Sequence, residues 1–535
     1  MVKAMSARQP QESIEQAPDL SAAKTIAKAA SLVLVAILFS KIASYAFRWV
    51  GAMLGTAEYG KFSMAFGVFE VAVGLALLGV DTAVSRFVVD DSINRKKEAA
   101  AFPNSFWYGT KVVLLSSIFS AVALVLSSGW IASSIFHLPE MAASLALFGL
   151  TLPFFMLVLV FVAAARGLKH VEYEAGAKSV LESFLRPVVA FIAISLGLGV
   201  LGLSVAVFAS AVIVFFVCCY WASRFFPQDW FGSILRSTRP EGFFHFSIPL
   251  YASNLLGILM ADASIFSLGL MVGASEAGVF SALLPVAVFI TLPSLVILPL
   301  FISVCSEFLA HGKIAESQKL YQSMIKAILL FSLPMAVVVS FFSREALTFL
   351  YLIDYSQGAV ALSILSFAYL SYSVFLPAVN YLFVIKRTDL SLRNMVTSSA
   401  VVFAAIFLLV PSYGTTGAAV AFSAGLVVQV ALCTMQVQRH AKLHPFSDTF
   451  GRTLAAGLLA AVPLFLLNGA FGLRAIPRVL FGVAVYALSY AALLILLRAF
   501  DRGDIELLKS FERKSGIRLG AVRDALKRFY FRNQQ

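Results

Sequence analysis

Lys41, Tyr45 and Arg48 stand at positions i, i+4 and i+7 of an otherwise apolar run, which puts both cations on one face of a helix. A charge at the centre of a membrane span costs about 2.5 to 3.5 kcal/mol on insertion scales, so such residues face a wet cavity or a partner. Arg and Lys in a low-dielectric cavity are the expected ligands of a phosphate. A plainer role competes with that one. Glu70, on the next apolar run, lies at a depth between Lys41 and Arg48, and the three could neutralise one another as helix-packing glue. Asp262 sits in the middle of a run that holds no basic residue, with Tyr251 eleven residues before it on the same face. It needs a partner or a proton, and reads either as a coupling-ion or proton site or as a pair for Lys41 across the molecule. Glu174, Lys178, Glu182 and Arg186 form an i+4 ladder of alternating sign, mainly a helix-stabilising pattern, though Glu182 and Arg186 can reach a vestibule at the membrane face. Asp81 shares a face with Glu70 but reads as a salt-bridged helix end beside Arg86.

The elements that must carry these residues follow from composition. With 60% hydrophobic residues, 13% charged residues and 49 Phe, the chain exceeds the composition of soluble domains and reads as an all-α polytopic membrane protein. Spanning the hydrocarbon takes roughly 20 mainly apolar residues, and about fourteen such runs are present. They lie near 31–53, 61–85, 109–130, 142–165, 179–199, 201–223, 246–268, 278–303, 325–343, 360–384, 394–412, 416–437, 453–471 and 479–498. A mostly polar lead precedes the first run, and Lys41 and Arg48 lie inside it, so no cleaved signal peptide is expected.

Lys and Arg accumulate in every second loop, from Arg95, Lys96 and Lys97 to Arg439, Lys442 and Arg452, while the other loops hold only Lys61, Arg344, Arg474 and Arg478. By the positive-inside rule both termini are cytoplasmic, in a multi-pass cytoplasmic (inner or plasma) membrane protein. The net charge of +13 is then a topological bias, and no nucleic-acid partner is expected. Basic residues interleaved with Leu519, Val522, Leu526 and Phe529 mark the tail as an anchor on the inner leaflet. Cys218, Cys219, Cys305 and Cys433 have no metal-ligand spacing, no metal or cofactor is implied, and there is no GxxxxGK[ST], HExxH, GxSxG or CxxC motif. His137 and Glu140, in the loop HLPE, are too isolated to suggest catalysis.

The loop GAMLGTAEYGKFS (Gly51 to Ser63) returns as GLMVGASEAGVFS (Gly269 to Ser281), an offset of 218 residues. The pattern G-x-x-G-x-x-V-A at Gly199, Gly202, Val205 and Ala206 returns at Gly414, Gly417, Val420 and Ala421, an offset of 215. Two motifs at nearly one spacing indicate an internal duplication, with runs one to six matching runs seven to twelve in the same orientation. The expected division is a cytoplasmic tail 1–28, a six-helix lobe 29–224, a cytoplasmic linker 225–244, a second six-helix lobe 245–440, two extra transmembrane helices 441–500 and a basic amphipathic cytoplasmic tail 501–535. The repeated glycines permit a tight turn and close helix approach. Pro285, Pro293 and Pro299 should bend or break run eight. The positions matching Lys41 and Arg48 one repeat later are Leu259 and Phe266, so the scaffold is duplicated and the charges are not.

The segments EYGKFSMAFGVFEVAVGLALLGVDTAVSRFV (Glu58 to Val88), EAGVFSALLPVAVFITLPSLVILPLF (Glu276 to Phe301) and YGTTGAAVAFSAGL (Tyr413 to Leu426) together resemble the polysaccharide flippases of the multidrug/oligosaccharidyl-lipid/polysaccharide superfamily. The resemblance implies a transporter rather than an enzyme, with two six-helix lobes around a central cavity that alternates between sides. It implies as substrate an oligosaccharide unit on a polyprenyl pyrophosphate, flipped outward for surface polysaccharide synthesis. The partners it implies are membrane lipids and the glycan polymerase or glycosyltransferases of the same pathway. Three other readings remain open on the residues. These are an ion-coupled multidrug exporter, a lipid-linked peptidoglycan-precursor flippase and a membrane glycan polymerase or ligase.

Overall fold

The computed structural model describes Ala36 and residues 39–94, 103–168, 170–223, 230–351, 355–385, 387–467 and 475–500. The expected tails at 1–28 and 501–535 and the basic residues Arg95, Lys96, Lys97, Lys169, Arg224 and Lys386 lie outside these. In the first half, α1 covers 39–52, α2 Thr56–Leu77, α3 Val80–Asn94, α4 Asn104–Trp130, α5 Ala142–Gly167, α6 Val171–Glu174, α7 Ser183–Ser195, α8 Gly199–Ser223 and α9 Trp230–Arg236. In the second half follow α10 Phe243–Met271, α11 Ala274–Val288, α12 Leu292–Ala310, α13 Ile314–Phe341, α14 Ser343–Tyr351, α15 Ala359–Val384 and α16 Thr388–Ala441. The chain ends on α17 Asp448–Leu459, α18 Val462–Leu467 and α19 Ala475–Leu496. No strand occurs among the described residues.

Among the described residues eleven helical stretches are long and apolar enough to cross a membrane, against the fourteen runs expected. Three local causes account for the difference. The runs at 394–412 and 416–437 are two helices that the range of α16 covers together: the chain turns back at Gly414, where φ 50° and ψ −132° suit glycine, so that Asn394 meets Gln436 and Ser398 donates to the Gly425 carbonyl. The run at 179–199 is a π-helical stretch, Ala175–Glu182, followed by the 13-residue α7. The first run is helical from residue 39, and most of its earlier part lies outside the described residues.

Two of the expected runs are broken along their length. Run two stops at Leu78 and Gly79, both at positive φ, before resuming as α3. Run eight breaks as expected, with a 3₁₀ turn at Phe289–Thr291 between α11 and α12. Hydrocarbon offers no water to the groups a break exposes, so neighbouring side chains must satisfy them. Thr291 Oγ1 donates to the Val288 carbonyl at 2.7 Å, Ser294 Oγ to the Thr291 carbonyl at 2.6 Å, and Ser373 Oγ of α15 reaches Ser294 Oγ at 3.2 Å.

Helices α2 to α8 pack among themselves, with α5 touching α2, α3, α4 and α8; helices α10 to α16 do likewise, with α15 touching α11, α12, α13 and α16. The terminal helices α17 and α19 lie against α13. Between the two groups, α2 packs on α10 and α11 and α3 on α10. Apolar surface cannot drive this seam in lipid, so close backbone approach must hold it. A Cβ on Gly60 would lie 1.8 Å from the Ala274 carbonyl oxygen, and one on Gly278 would lie 1.9 Å from the Thr56 carbonyl oxygen. Thr56 matches Ala274 and Gly60 matches Gly278 at the 218-residue offset, so the two copies of the repeated loop face each other in a reciprocal contact. Beside it Thr56 Oγ1 lies 2.7 Å from Ser275 Oγ. Gly55 and Gly273, at φ 98° and 144°, provide the turns that start both helices.

Candidate functional site

Two elements of the first lobe carry the cations. Ser40 Oγ of α1 lies 3.0 Å from Ser183 Oγ at the start of α7, which brings α1 against the segment that carries Glu182 and Arg186. A π-helical stretch inserts an extra residue into a helix and changes which side chains share a face. The expected ladder is altered accordingly: Glu174 pairs with Arg166 at 2.6 Å rather than with Lys178. Lys178 lies over the Phe155 ring, 5.9 Å from its centroid, and interacts with the charges of Glu182 and Arg186.

Arg186 donates through Nη2 to Glu182 Oε1, while Arg186 Nε and Glu182 Oε2 are buried without a protein partner. The pair is therefore half-satisfied, with donor capacity left for a ligand or water. Glu70, exposed on α2 although it lies within a span, interacts with both Arg48 and Arg186. Arg48, half-buried on α1, interacts with Tyr59, with Glu70, and with Tyr351 and Tyr369 of the second lobe. It thus stands where the lobes meet. None of the ion pairs among the described residues includes Lys41, Arg48 or Glu70, although Arg48 and Glu70 act on each other at longer range.

Tyr45 ties the lobes together. Its hydroxyl donates to the Leu350 carbonyl at 3.1 Å, and its ring lies 5.9 Å from that of Tyr351. Tyr351 donates to the Ala282 carbonyl at 2.6 Å, and Tyr355 reaches back to the Ala52 carbonyl at 3.4 Å. Asp262 and Tyr251 share a face of α10, as their spacing implied, and that face packs on α2. A Cβ on Gly67 would lie 3.2 Å from Asp262 Oδ1 and 2.9 Å from the Phe266 ring; one on Gly74 would lie 2.6 Å from Leu255 and 3.8 Å from the Tyr251 hydroxyl. Asp262 does not pair with Lys41, and the charge acting on it is that of Glu70. Asp81 interacts with Arg166 and Tyr251.

The site thus gathers Arg48 of α1 with Lys178 and Arg186 around Glu70 and Glu182, with the Arg166–Glu174 pair also acting on Lys178. The sequence reading missed Lys178, which it counted only as ladder, and Tyr351 and Tyr369, which become neighbours of Arg48 only by folding. The i+4 spacing of Lys178 and Glu182 was a usable signal for the former. Among the described residues no group of three or more His, Cys, Asp or Glu could hold a metal ion, and all four cysteines are free.

Residues 26–305, just over half of the chain, match the family described as polysaccharide biosynthesis protein, and the chain belongs to that family. No curated protein matches by sequence. Among solved structures, "Lipid II flippase MurJ, inward closed conformation" is similar with a TM-score of 0.66 at 15% identity, over 87% of this chain and 99% of that one. A multidrug resistance MATE family transporter of the MOP superfamily is similar in its inward-facing conformation with a TM-score of 0.62 at 17% identity, over 77% of this chain and 98% of that one. An outward-facing conformation of a multidrug resistance MATE family transporter of the MOP superfamily is similar with a TM-score of 0.55 at 15% identity, over 78% of this chain and 96% of that one. The fold is therefore the one these solved transporters share, in a polytopic membrane protein.

Proposed function

We propose that this protein is a flippase that moves an oligosaccharide on a polyprenyl pyrophosphate from the cytoplasmic to the outer leaflet for surface polysaccharide synthesis. The observation that carries the reading is Arg48, a cation within a membrane span that is bordered by both lobes and interacts with Glu70 without a direct ion pair among the described residues. Desolvating an arginine is costly unless an anion or a cavity repays it, and a pyrophosphate matches its donors. Lys41, Lys178 and Arg186 continue the positive wall toward the basic end. Membership of the polysaccharide biosynthesis family and the fold shared with a lipid II flippase support a lipid-linked substrate. A transporter needs no catalytic residues, in keeping with the motifs of the chain.

In this reading the lobes 29–224 and 245–440 are the moving units, the end poor in Lys and Arg faces outward, and both termini are cytoplasmic. Helices α17 to α19 are an appendix on the second lobe, and the linker 225–244 and the tails are cytoplasmic. Pathway polymerases and glycosyltransferases are the expected partners.

The test is a double-mutant comparison of glycan export and membrane abundance. Arg48→Ala should abolish export with abundance largely kept, and Lys41→Ala should follow it. If Arg48 served only to neutralise Glu70, each single change would lower abundance and the Arg48→Ala/Glu70→Ala pair would restore both readouts. Regained export in the pair would remove Arg48 from the substrate site. An abundant but inactive pair is the result expected here.

A further inference from the structure

The substrate path makes no use of the most buried carboxylate among the described residues. Asp262 is 3% exposed, it lies on the α10 face that closes on α2, and its Oδ2 has no hydrogen-bond partner. The seam leaves it no room for a hydrated counter-ion, because Gly67 of α2 and the Phe266 ring occupy the adjacent space. A monovalent cation would need several oxygen ligands and the space to hold them, at a seam packed at backbone distance. A proton needs one.

We propose that Asp262 is a proton-binding site, and that the seam between α2 and α10 closes only when Asp262 is protonated. This rests on the reading above only in requiring that the two lobes part and rejoin. An ionised carboxylate buried without a partner is expelled toward water, and parting α10 from α2 is the motion that would admit it. The surroundings reinforce this. From α2, Glu70 sets a second negative charge near Asp262, so ionising both while the seam is shut is doubly unfavourable. From α3, the nearest acid is Asp81, which acts on Tyr251 rather than on Asp262. On α11, Glu276 is turned away and accepts from the Thr415 backbone N–H at 3.1 Å. From α16, the buried polar residues are uncharged: Asn394 bonds to Gln436 and Ser398 donates to the Gly425 carbonyl. The cations Arg48 and Arg186 act on Glu70, and neither acts on Asp262.

The seam also explains why three glycines recur at a heptad spacing on α2. Gly60, Gly67 and Gly74 face Ala274 and Gly278, Asp262 and Phe266, and Leu255 and Tyr251 in turn. Asp262 is the titratable acid among these contacts. A seal packed at backbone distance cannot accommodate a hydrated carboxylate, so its closure reports one protonation event.

The experiment measures the distance between spin labels at Ser134 and Gln357, exposed positions of opposite lobes at the end poor in Lys and Arg. It uses the full chain in lipid nanodiscs with the four cysteines replaced by Ala. Between about pH 5 and about pH 9, the short-distance population should fall several-fold in the protein carrying Asp262. Asp262→Asn should keep the short distance across that range. A distribution that does not change with pH, or an Asp262→Asn protein that responds like its parent, would overturn the proposal. If Asp262→Asn does not accumulate, Glu70→Gln provides the second readout: removing the neighbouring charge should move the midpoint of opening to lower pH. An unmoved midpoint, or loss of the response in Glu70→Gln, would place the proton elsewhere. No glycan is present in this measurement, so its failure leaves the flipping assignment standing, and failed flipping leaves the proton site standing.

Discussion

The reciprocal contact between the two copies of the repeated loop permits a quantitative prediction about lobe closure. A Cβ at Gly60 would sit 1.8 Å from the Ala274 carbonyl oxygen, where ordinary contact begins near 3.4 Å. Gly60→Ala therefore forces α2 and α11 apart by roughly 1.6 Å, the difference between the two distances, unless the backbone gives. Gly278→Ala meets the Thr56 carbonyl oxygen at 1.9 Å and needs almost the same displacement. Overpacking of this kind costs about 1 to 3 kcal/mol. In the proposed cycle the cost falls on the closed state alone, because the clash disappears when the lobes part. The closed population should drop about fivefold to more than a hundredfold, at about 1.4 kcal/mol per tenfold.

Disulfide formation in a Thr56→Cys/Ser275→Cys protein, at fixed pH and oxidant in native membranes, reads that population, since the two hydroxyls lie 2.7 Å apart and bring the positions within disulfide reach. Each glycine variant should slow cross-linking by the stated factor. Gly129→Ala, where nothing lies within 4 Å, should not. The double variant should cost little more than either single one, because one rigid displacement relieves both clashes. Fully additive losses would show that the two contacts are independent, and unchanged rates in the single variants would show that the loops do not hold the lobes together.

Two further outcomes follow from the site and the turn at Gly414. If two pyrophosphate charges cross the full field, the membrane potential contributes about 4.6 kcal/mol per 100 mV to outward flipping. In proteoliposomes carrying the lipid-linked substrate, collapsing the potential at constant pH should slow flipping, and unchanged flipping would count against an anionic cargo. Gly414→Ala places a side chain at φ 50° and ψ −132°, with its Cβ 3.3 Å from Glu276 Oε2. A strained backbone of this kind costs on the order of 1 to 3 kcal/mol, so the purified protein should melt at a lower temperature while Gly129→Ala does not.

The membrane class, the all-helical fold and the break in run eight were legible in the sequence because each is a local property. Hydrocarbon length sets the size of a run, and proline removes a backbone donor wherever it falls. The duplication was legible as well, since Gly60 and Gly278 keep their neighbours at a fixed offset. What those glycines touch was not legible. Nothing in either copy says that it packs on the other, and only the assembled lobes bring the Thr56 carbonyl to Gly278 and the Ala274 carbonyl to Gly60. The same holds for the candidate site. Spacing placed Lys41 and Arg48 on one face, and Asp262 and Tyr251 on another, because helical periodicity is local. Which partner each face meets was decided by tertiary packing: Arg48 found tyrosines rather than Glu70 as an ion pair, Glu70 came to lie near Arg186, and Asp262 met Gly67 rather than Lys41. In a soluble protein the polar side of a helix announces which face is outward. In a membrane both lipid and neighbouring helices are apolar, so steric fit between backbones chooses the buried face, and that fit exists only once the helices are side by side.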